Sequence, residues 1–252
     1  MNHETGEYSS SVKTPTGIPS DPALAGKGEQ QAQELALHLS TLTPPIERFY
    51  SSPFYRCIQT VAPTLSLLPP SSSPKTLKIR GENGLGEWYG KARFDHPSPA
   101  EPEVLRSFFP NYDLAYDAHI KPSVNGETIE QLHDRTAYAL HRIIEQSDRE
   151  GVKTIVICTH AATLIATGRV LTGRMPEDVE EEDFRPFTCG VSTFIRKQQG
   201  DGANVEEVEK WKGPETEIPR VEWRGGRGVG GGWECKANGD CSFLSGGEER
   251  GW

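Results

Sequence analysis

No stretch of this 252-residue chain is apolar for long enough to cross a bilayer, and its polar N-terminus lacks the charged-then-apolar order of a secretory signal. These absences point to an intracellular chain, nuclear or cytoplasmic, with no membrane partner. Basic charge is also scarce. Lys and Arg number 27 against 36 Asp and Glu, a net charge of −9, and the pI lies near 5.4. Such a balance offers no basic footprint for gripping a phosphate backbone, so direct nucleic-acid binding is disfavoured. Cysteine is sparse and odd in number: Cys57, Cys158, Cys189, Cys235 and Cys241 form no CxxC pair, and no Cys/His cluster has metal-ligand spacing. They read as reduced thiols, with neither a metal nor another cofactor expected. Regular structure is missing from about the first twenty residues, where Ser, Thr, Pro and Gly read as a loop.

Periodic segments begin after that loop. KGEQQAQELALHL sets Ala32, Leu35, Ala36 and Leu39 on one helical stripe. IERFYSS, between Pro45 and Pro53, reads as a strand ending at Ser51, and PFYRCIQTVAPTLSLL as a helix that Pro63 should kink or break. TLKIR reads as a second short strand. Residues 93–124, rich in proline and aromatics, suggest an excursion without regular structure. ETIEQLHDRTAYALHRIIEQSD places Ile129, Leu132, Thr136, Leu140 and Ile143 on one face of the longest helix. KTIVICTH is the apolar, β-branched run of a buried parallel strand, and AATLIATGRVLTG is a helix closed by Gly173. PEDVEEEDF reads as a solvated acidic loop and VSTFIRK as a late strand. Strand followed by helix recurs, so the fold class is α/β. Beyond residue 200 glycine, charge and tryptophan dominate, with no periodicity. The expected division is a domain over 1–200 and an irregular tail over 201–252 that wraps the domain or meets a partner.

Three short stretches place a polar or ionisable side chain just past a strand, where sites of open α/β sheets form. SSPFYRCIQT carries Arg56 at the start of a helix, where free amides and the helix dipole favour an anion and a guanidinium can hold two phosphate oxygens. A lone arginine there could equally be a surface ion-pair partner. LGEWYG carries Glu87 beside Trp88 and Tyr89, a setting that could raise its pKa as a general acid requires, or leave it an ordinary loop carboxylate. CTHAAT carries His160 between a strand and a helix, exposing a ring nitrogen to a ligand or merely ending the strand.

Together these stretches resemble the histidine phosphatase superfamily, also called phosphoglycerate-mutase-like. In that family an early Arg-His-Gly supplies the nucleophilic histidine. A later Ser-x-x-x-Arg-x-x-x-Thr helix binds phosphate, a Glu is the acid, and a strand-terminal Thr-His supplies a second histidine. SSPFYRCIQT, LGEWYG and CTHAAT match the last three in order, over roughly residues 1 to 197. The resemblance implies a three-layer sandwich, a mostly parallel sheet with helices on both faces. It also implies catalytic roles for Glu87 and His160 and phosphate binding by Arg56 and His160, without metal. DPALAGKGEQQAQEL looks like the family segment that follows the Arg-His-Gly strand, yet Arg-His-Gly itself does not occur in the chain. His3, in NHET, has neither the preceding strand nor the following glycine needed to replace it. The expectation is therefore a start placed downstream of the nucleophile motif, a sheet lacking its first central strand, and an unpaired edge beside the strand ending at His160.

Two readings follow from the resemblance. One is a phosphomonoesterase, active on a phosphorylated protein or small molecule once the motif is restored and impaired without it. The other is a non-catalytic assembly subunit. GEYSSSVKTPTGIPSDPALAGKGEQQA and the tail NGDCSFLSGGEERGW look closest to fungal relatives of the phosphatase-like subunit of the transcription factor complex that serves RNA polymerase III. In that reading the tail, with Trp233, Phe243 and Trp252, would join the chain to other subunits.

Overall fold

The computed structural model describes residues 6–9, 11–68, 77–197 and 207–250, which leaves His3 and Trp252 outside the described residues. In chain order the elements are α1 (Gly26–Ser40), β1 (Arg48–Ser51), α2 (Tyr55–Leu67), β2 (Ile79–Gly81), α3 (Pro102–Phe108), α4 (Ile129–Arg149), β3 (Ile155–Cys158), α5 (Ala161–Thr172), β4 (Val191–Arg196) and β5 (Trp233–Asp240).

The strands β2, β1 and β3 lie side by side in that order, all parallel, with Tyr50 level with both Arg80 and Ile157. Alternation along a strand sends neighbouring side chains to opposite faces. Phe49 of β1 packs with Leu35 and Leu39 of α1 and Ile58 and Val61 of α2. Tyr50 packs on the other face with Ile143 of α4. Helices therefore cover both faces and the three layers expected from the sequence are present. Burial of each large aliphatic side chain in these faces stabilises the fold by roughly 2 kcal/mol. Helix α4 starts with a capping box, in which the Thr128 side chain accepts from the Gln131 backbone and Gln131 returns the bond.

The edge anticipated beside His160 is present: β3 pairs with β1 on one side and, among the described residues, with no strand on the other. All four of its residues are only half-buried, whereas three of the four in β1 are fully buried.

Several sequence expectations are corrected. Pro63 does not break α2, which runs to Leu67 because Ile58, Val61 and Thr64 are buried on either side of the proline and tertiary packing outweighs the lost backbone bond. Ile129 is 38% exposed, since it is the first residue of α4 and lies beyond the buried stripe. Residues 102–108, read as irregular, form the short helix α3 with proline at its first turn and Leu105 buried.

The C-terminal segment also contains more regular structure than its composition suggests. Strand β5 pairs antiparallel with β4, and Trp233, Cys235 and Ala237 alternate with the more exposed Glu234, Lys236 and Asn238. Val208, Val221, Trp223 and Val229 join the same apolar cluster as Tyr138, Leu140, Val170 and Leu171 of α4 and α5. Gly228 allows the closest approach: its φ is +65°, and a Cβ there would stand 2.2 Å from the Leu171 carbonyl oxygen, so only glycine fits. The segment then returns over α1, where Phe243 stacks on His38 at 4.2 Å and Lys27 pairs with Glu249 at 2.8 Å. Trp233 donates its indole N–H to the Val229 carbonyl at 3.0 Å. Two of the three aromatics read as partner anchors thus pack on the domain's own surface.

Candidate active site

The parallel order of β2, β1 and β3 brings their carboxyl ends to one edge, and the three sequence-selected side chains meet there. Arg56 is the second residue of α2, just after β1. Glu87 follows β2 and a 3-10 turn over Asn83–Leu85, and His160 ends the β3 segment and caps α5. The Arg56 Nη2 donates to Glu87 Oε2 at 3.0 Å. His160 Nδ1 lies 3.1 Å from the same oxygen and 3.2 Å from Arg56 Nη2. Glu87 thus sits between two cations, with the guanidinium face over the Phe54 ring at 4.9 Å.

The loop carrying Glu87 is held from beneath by three side-chain donors. Thr159 Oγ1 donates to the Leu85 carbonyl, Thr163 Oγ1 to Gly86 and the Arg135 Nη1 to Gly84, at 2.6, 2.8 and 2.8 Å. Arg135, fully buried, is itself neutralised by Glu127 at 2.9 Å. This scaffold fixes the direction in which Glu87 points.

Sequence reasoning missed three members of the cluster. The Asp21 carboxylate, fully buried, accepts from the Tyr55 backbone N–H at 2.7 Å and from Arg56 Nη1 at 3.2 Å. The α2 amides expected to wait for an anion are therefore already capped by an anion of the chain. Ser52 Oγ lies 2.8 Å from His160 Nε2, and Cys57 Sγ lies 3.6 Å from the same nitrogen. The helix end that Asp21 caps lies 34 residues away in sequence, so no local signal marks the pairing.

The packing bears on two sequence expectations about the chemistry. For Glu87 the sequence leaves open a carboxyl of raised pKa or an ordinary loop carboxylate. Burial does push it up, but the hydrogen bond from His160 and the charges of His160 and Arg56 outweigh burial and hold it below the usual carboxylate range. For His160 the sequence leaves open a ring nitrogen offered to a ligand or a residue that merely ends the strand; its side chain is only 5% exposed and both nitrogens are engaged. Burial disfavours its charged form, but the Cys57 thiolate and the Glu87 carboxylate overcome that and push its pKa up to about 9. Near neutral pH the cluster is thus an imidazolium and a guanidinium opposed by internal anions. Burial raises the Asp21 carboxyl despite its bonds to Tyr55 and Arg56.

Chemically, two adjacent cations at a strand edge can hold a tetrahedral oxyanion. Here they already hold carboxylates, so an incoming oxyanion must displace Glu87 to reach both.

Comparison with known proteins identifies the family of the chain. Residues 6–210 match the family model described as histidine phosphatase superfamily (branch 1). The chain is 34% identical over 246 residues to the transcription factor tau 55 kDa subunit of Saccharomyces cerevisiae, covering 94% of this chain and 52% of that protein. It is 27% identical over 216 residues to the ecdysteroid-phosphate phosphatase of Drosophila melanogaster, covering 83% of this chain and 28% of that protein. The chain thus spans about half the length of the yeast relative and about a quarter of the insect one. Among solved structures, the ecdysone phosphate phosphatase of the silk moth, in complex with tungstate, superposes with a TM-score of 0.50 at 24% identity, over 66% of this chain and 62% of that one. That likeness concerns the fold alone.

Proposed function

The chain belongs to the histidine phosphatase superfamily, and on that premise we propose that it is a phosphate-binding domain of this fold with impaired catalysis, working as an assembly subunit of a nuclear transcription factor complex of the type that serves RNA polymerase III. One observation carries the reading. Both terminal nitrogens of Arg56 are committed to carboxylates of the chain itself, Asp21 and Glu87. A phosphate entering the site has to compete with these carboxylates for the guanidinium, which weakens its binding. The 252 residues contain no Arg-His-Gly, the motif that the resemblance makes the source of the nucleophilic histidine in a phosphohistidine mechanism. In this reading Arg56 and His160 supply weak oxyanion binding, for which a phosphorylated segment of a partner is the fitting ligand. Residues 1–200 would contribute that site, and residues 201–252, whose Trp233 and Phe243 pack inward, would offer only their outward-facing side to other subunits.

A second reading, a phosphomonoesterase acting through Glu87 and His160 in a longer form of the chain, is favoured by the convergence of Arg56, Glu87 and His160 on one edge. Since the Glu87 carboxyl is held below its usual range, the proton for a leaving alkoxide would come more readily from the His160 imidazolium. Hydrolysis of p-nitrophenyl phosphate separates the two. The 252-residue chain should turn over no faster than its His160→Ala variant. Turnover by this chain that is lost in His160→Ala would overturn the assembly reading in favour of the enzyme.

A further inference from the structure

The edge of β3 that no described strand covers is apolar. Ile155, Val156, Ile157 and Cys158 are all half-buried. Val156 and Cys158 lean on the same apolar cluster as Cys189 and Val191, which stand at the start of β4 and also keep part of their surface exposed. Alternate residues of a parallel strand turn their backbone groups to opposite neighbours. The Thr154 and Cys158 carbonyls accept from the Glu47 and Ser52 N–H groups on the β1 side, at 3.0 and 2.8 Å, so the backbone groups of Ile155 and Ile157 point to the open edge. An apolar edge of this kind is a template for another strand.

The open edge also leads to the cation cluster. Strands β1, β2 and β3 run parallel, and β3 ends at Cys158, just before His160. A strand laid along β3 in the same direction would finish beside Arg56, Glu87 and His160. The Arg56 and Glu87 side chains are 24% and 27% exposed, so that end of the edge is open to a ligand. Building on the phosphate-binding role proposed above, we propose that the partner segment is an extended apolar run ending in a phosphoserine or phosphothreonine, which adds to β3 as a parallel strand and delivers its phosphate to Arg56 and His160.

The surroundings of β3 select this chemistry. Val156 packs on the cluster that holds α1 and α2, and Ile157 on the opposite one, with Tyr50 and Ile143. A strand beside β3 thus meets apolar surroundings above and below, which suits a continuous β-branched run rather than an alternating one. A general acidic segment is repelled by a chain of net charge −9, whereas a single phosphate at the end of the run meets the guanidinium and the imidazole directly. That phosphate has to displace Glu87 Oε2, which lies 3.0 Å from Arg56 Nη2 and 3.1 Å from His160 Nδ1. Backbone bonds and apolar contacts along β3 offset the displacement, because the strand holds the phosphate at high local concentration beside the cations.

The test titrates the full chain with synthetic peptides and follows the His160 imidazole and the backbone amides of Ile155 and Ile157 by NMR. The reference peptide is Lys-Lys-Val-Ile-Val-Val-phosphoserine amide. It should move all of these resonances and bind at least about thirtyfold tighter than a copy whose apolar residues are replaced by Ser and Gly. A copy N-methylated along the apolar run, which cannot donate ladder bonds, should be weakened to the same extent. Removing the phosphate, or placing the phosphoserine before the apolar run, should weaken binding at least about tenfold. If the reference peptide and the Ser/Gly copy bind alike and both move His160, the added strand is refuted while the phosphate-binding reading stands. If neither moves His160, that reading fails and the strand proposal fails with it. An unphosphorylated peptide that binds as tightly as the reference would also overturn the proposal.

Discussion

Replacing Trp223 by alanine is expected to lower the stability of the whole domain by about 3 to 5 kcal/mol, the cost of emptying a core site of that size. Trp223 is 1% exposed and stands among Tyr138, Leu140 and Val170. Its indole stacks on the His133 ring of α4 at 5.9 Å, and Arg224 covers its outer face at 4.7 Å. The residue belongs to the glycine-rich C-terminal stretch, yet it fills the same core as α4 and α5. A loss of that size in a chain of this length lowers the thermal midpoint by roughly 10 °C. Thermal unfolding followed by circular dichroism checks it. A change of less than about 1 kcal/mol would mean that residues 207–250 rest on the domain rather than complete it. The same packing makes deletion of the C-terminal stretch a poor test of partner binding, because its removal would expose Val170 and Tyr138.

The second large effect is expected for Arg56→Ala. Removing the guanidinium leaves the Asp21 carboxylate, which is fully buried, with backbone donors alone, and leaves Glu87 facing His160 without its second cation. Breaking a buried pair by removing one partner costs about 3 to 5 kcal/mol, and because the Arg56 side chain is 24% exposed the expected loss is nearer 2 kcal/mol. Asp21→Asn in the same chain should recover a large part of it, since the amide oxygen can still accept from the Tyr55 N–H while the buried charge is gone. Urea unfolding of the two single variants and the double variant measures this coupling directly. Purely additive losses would show that Asp21 and Arg56 do not act as a pair.

Much of the fold was legible because its helices are amphipathic. Ala32, Leu35, Ala36 and Leu39 of α1 and Leu132, Thr136, Leu140 and Ile143 of α4 are buried as their spacing requires. The three site residues were legible for a topological reason, since parallel strands bring the residues after each strand to a shared edge. What escaped reading depended on partners distant in sequence. The cap that Asp21 gives to α2 and the direction Cys57 takes toward His160 exist only once α1, α2 and β3 are packed. The signs of the pKa shifts follow from that packing, which is why Glu87 lies below its usual range rather than above it. Strand β5 was a different kind of miss. Trp233, Cys235 and Ala237 do alternate with polar residues, but the glycines flanking them hid a period-two signal that was present.

The central claim is that Arg56 and His160 form an oxyanion site which the chain's own carboxylates restrain. The most direct measurement is a titration of the intact chain with tungstate, following the His160 imidazole by NMR, beside Arg56→Lys, which keeps the charge but loses the two-pronged guanidinium. The account expects saturable but weak binding, on the order of millimolar, that moves the His160 resonance and is largely lost in Arg56→Lys. Binding that leaves His160 unmoved, or is the same in both proteins, would contradict it.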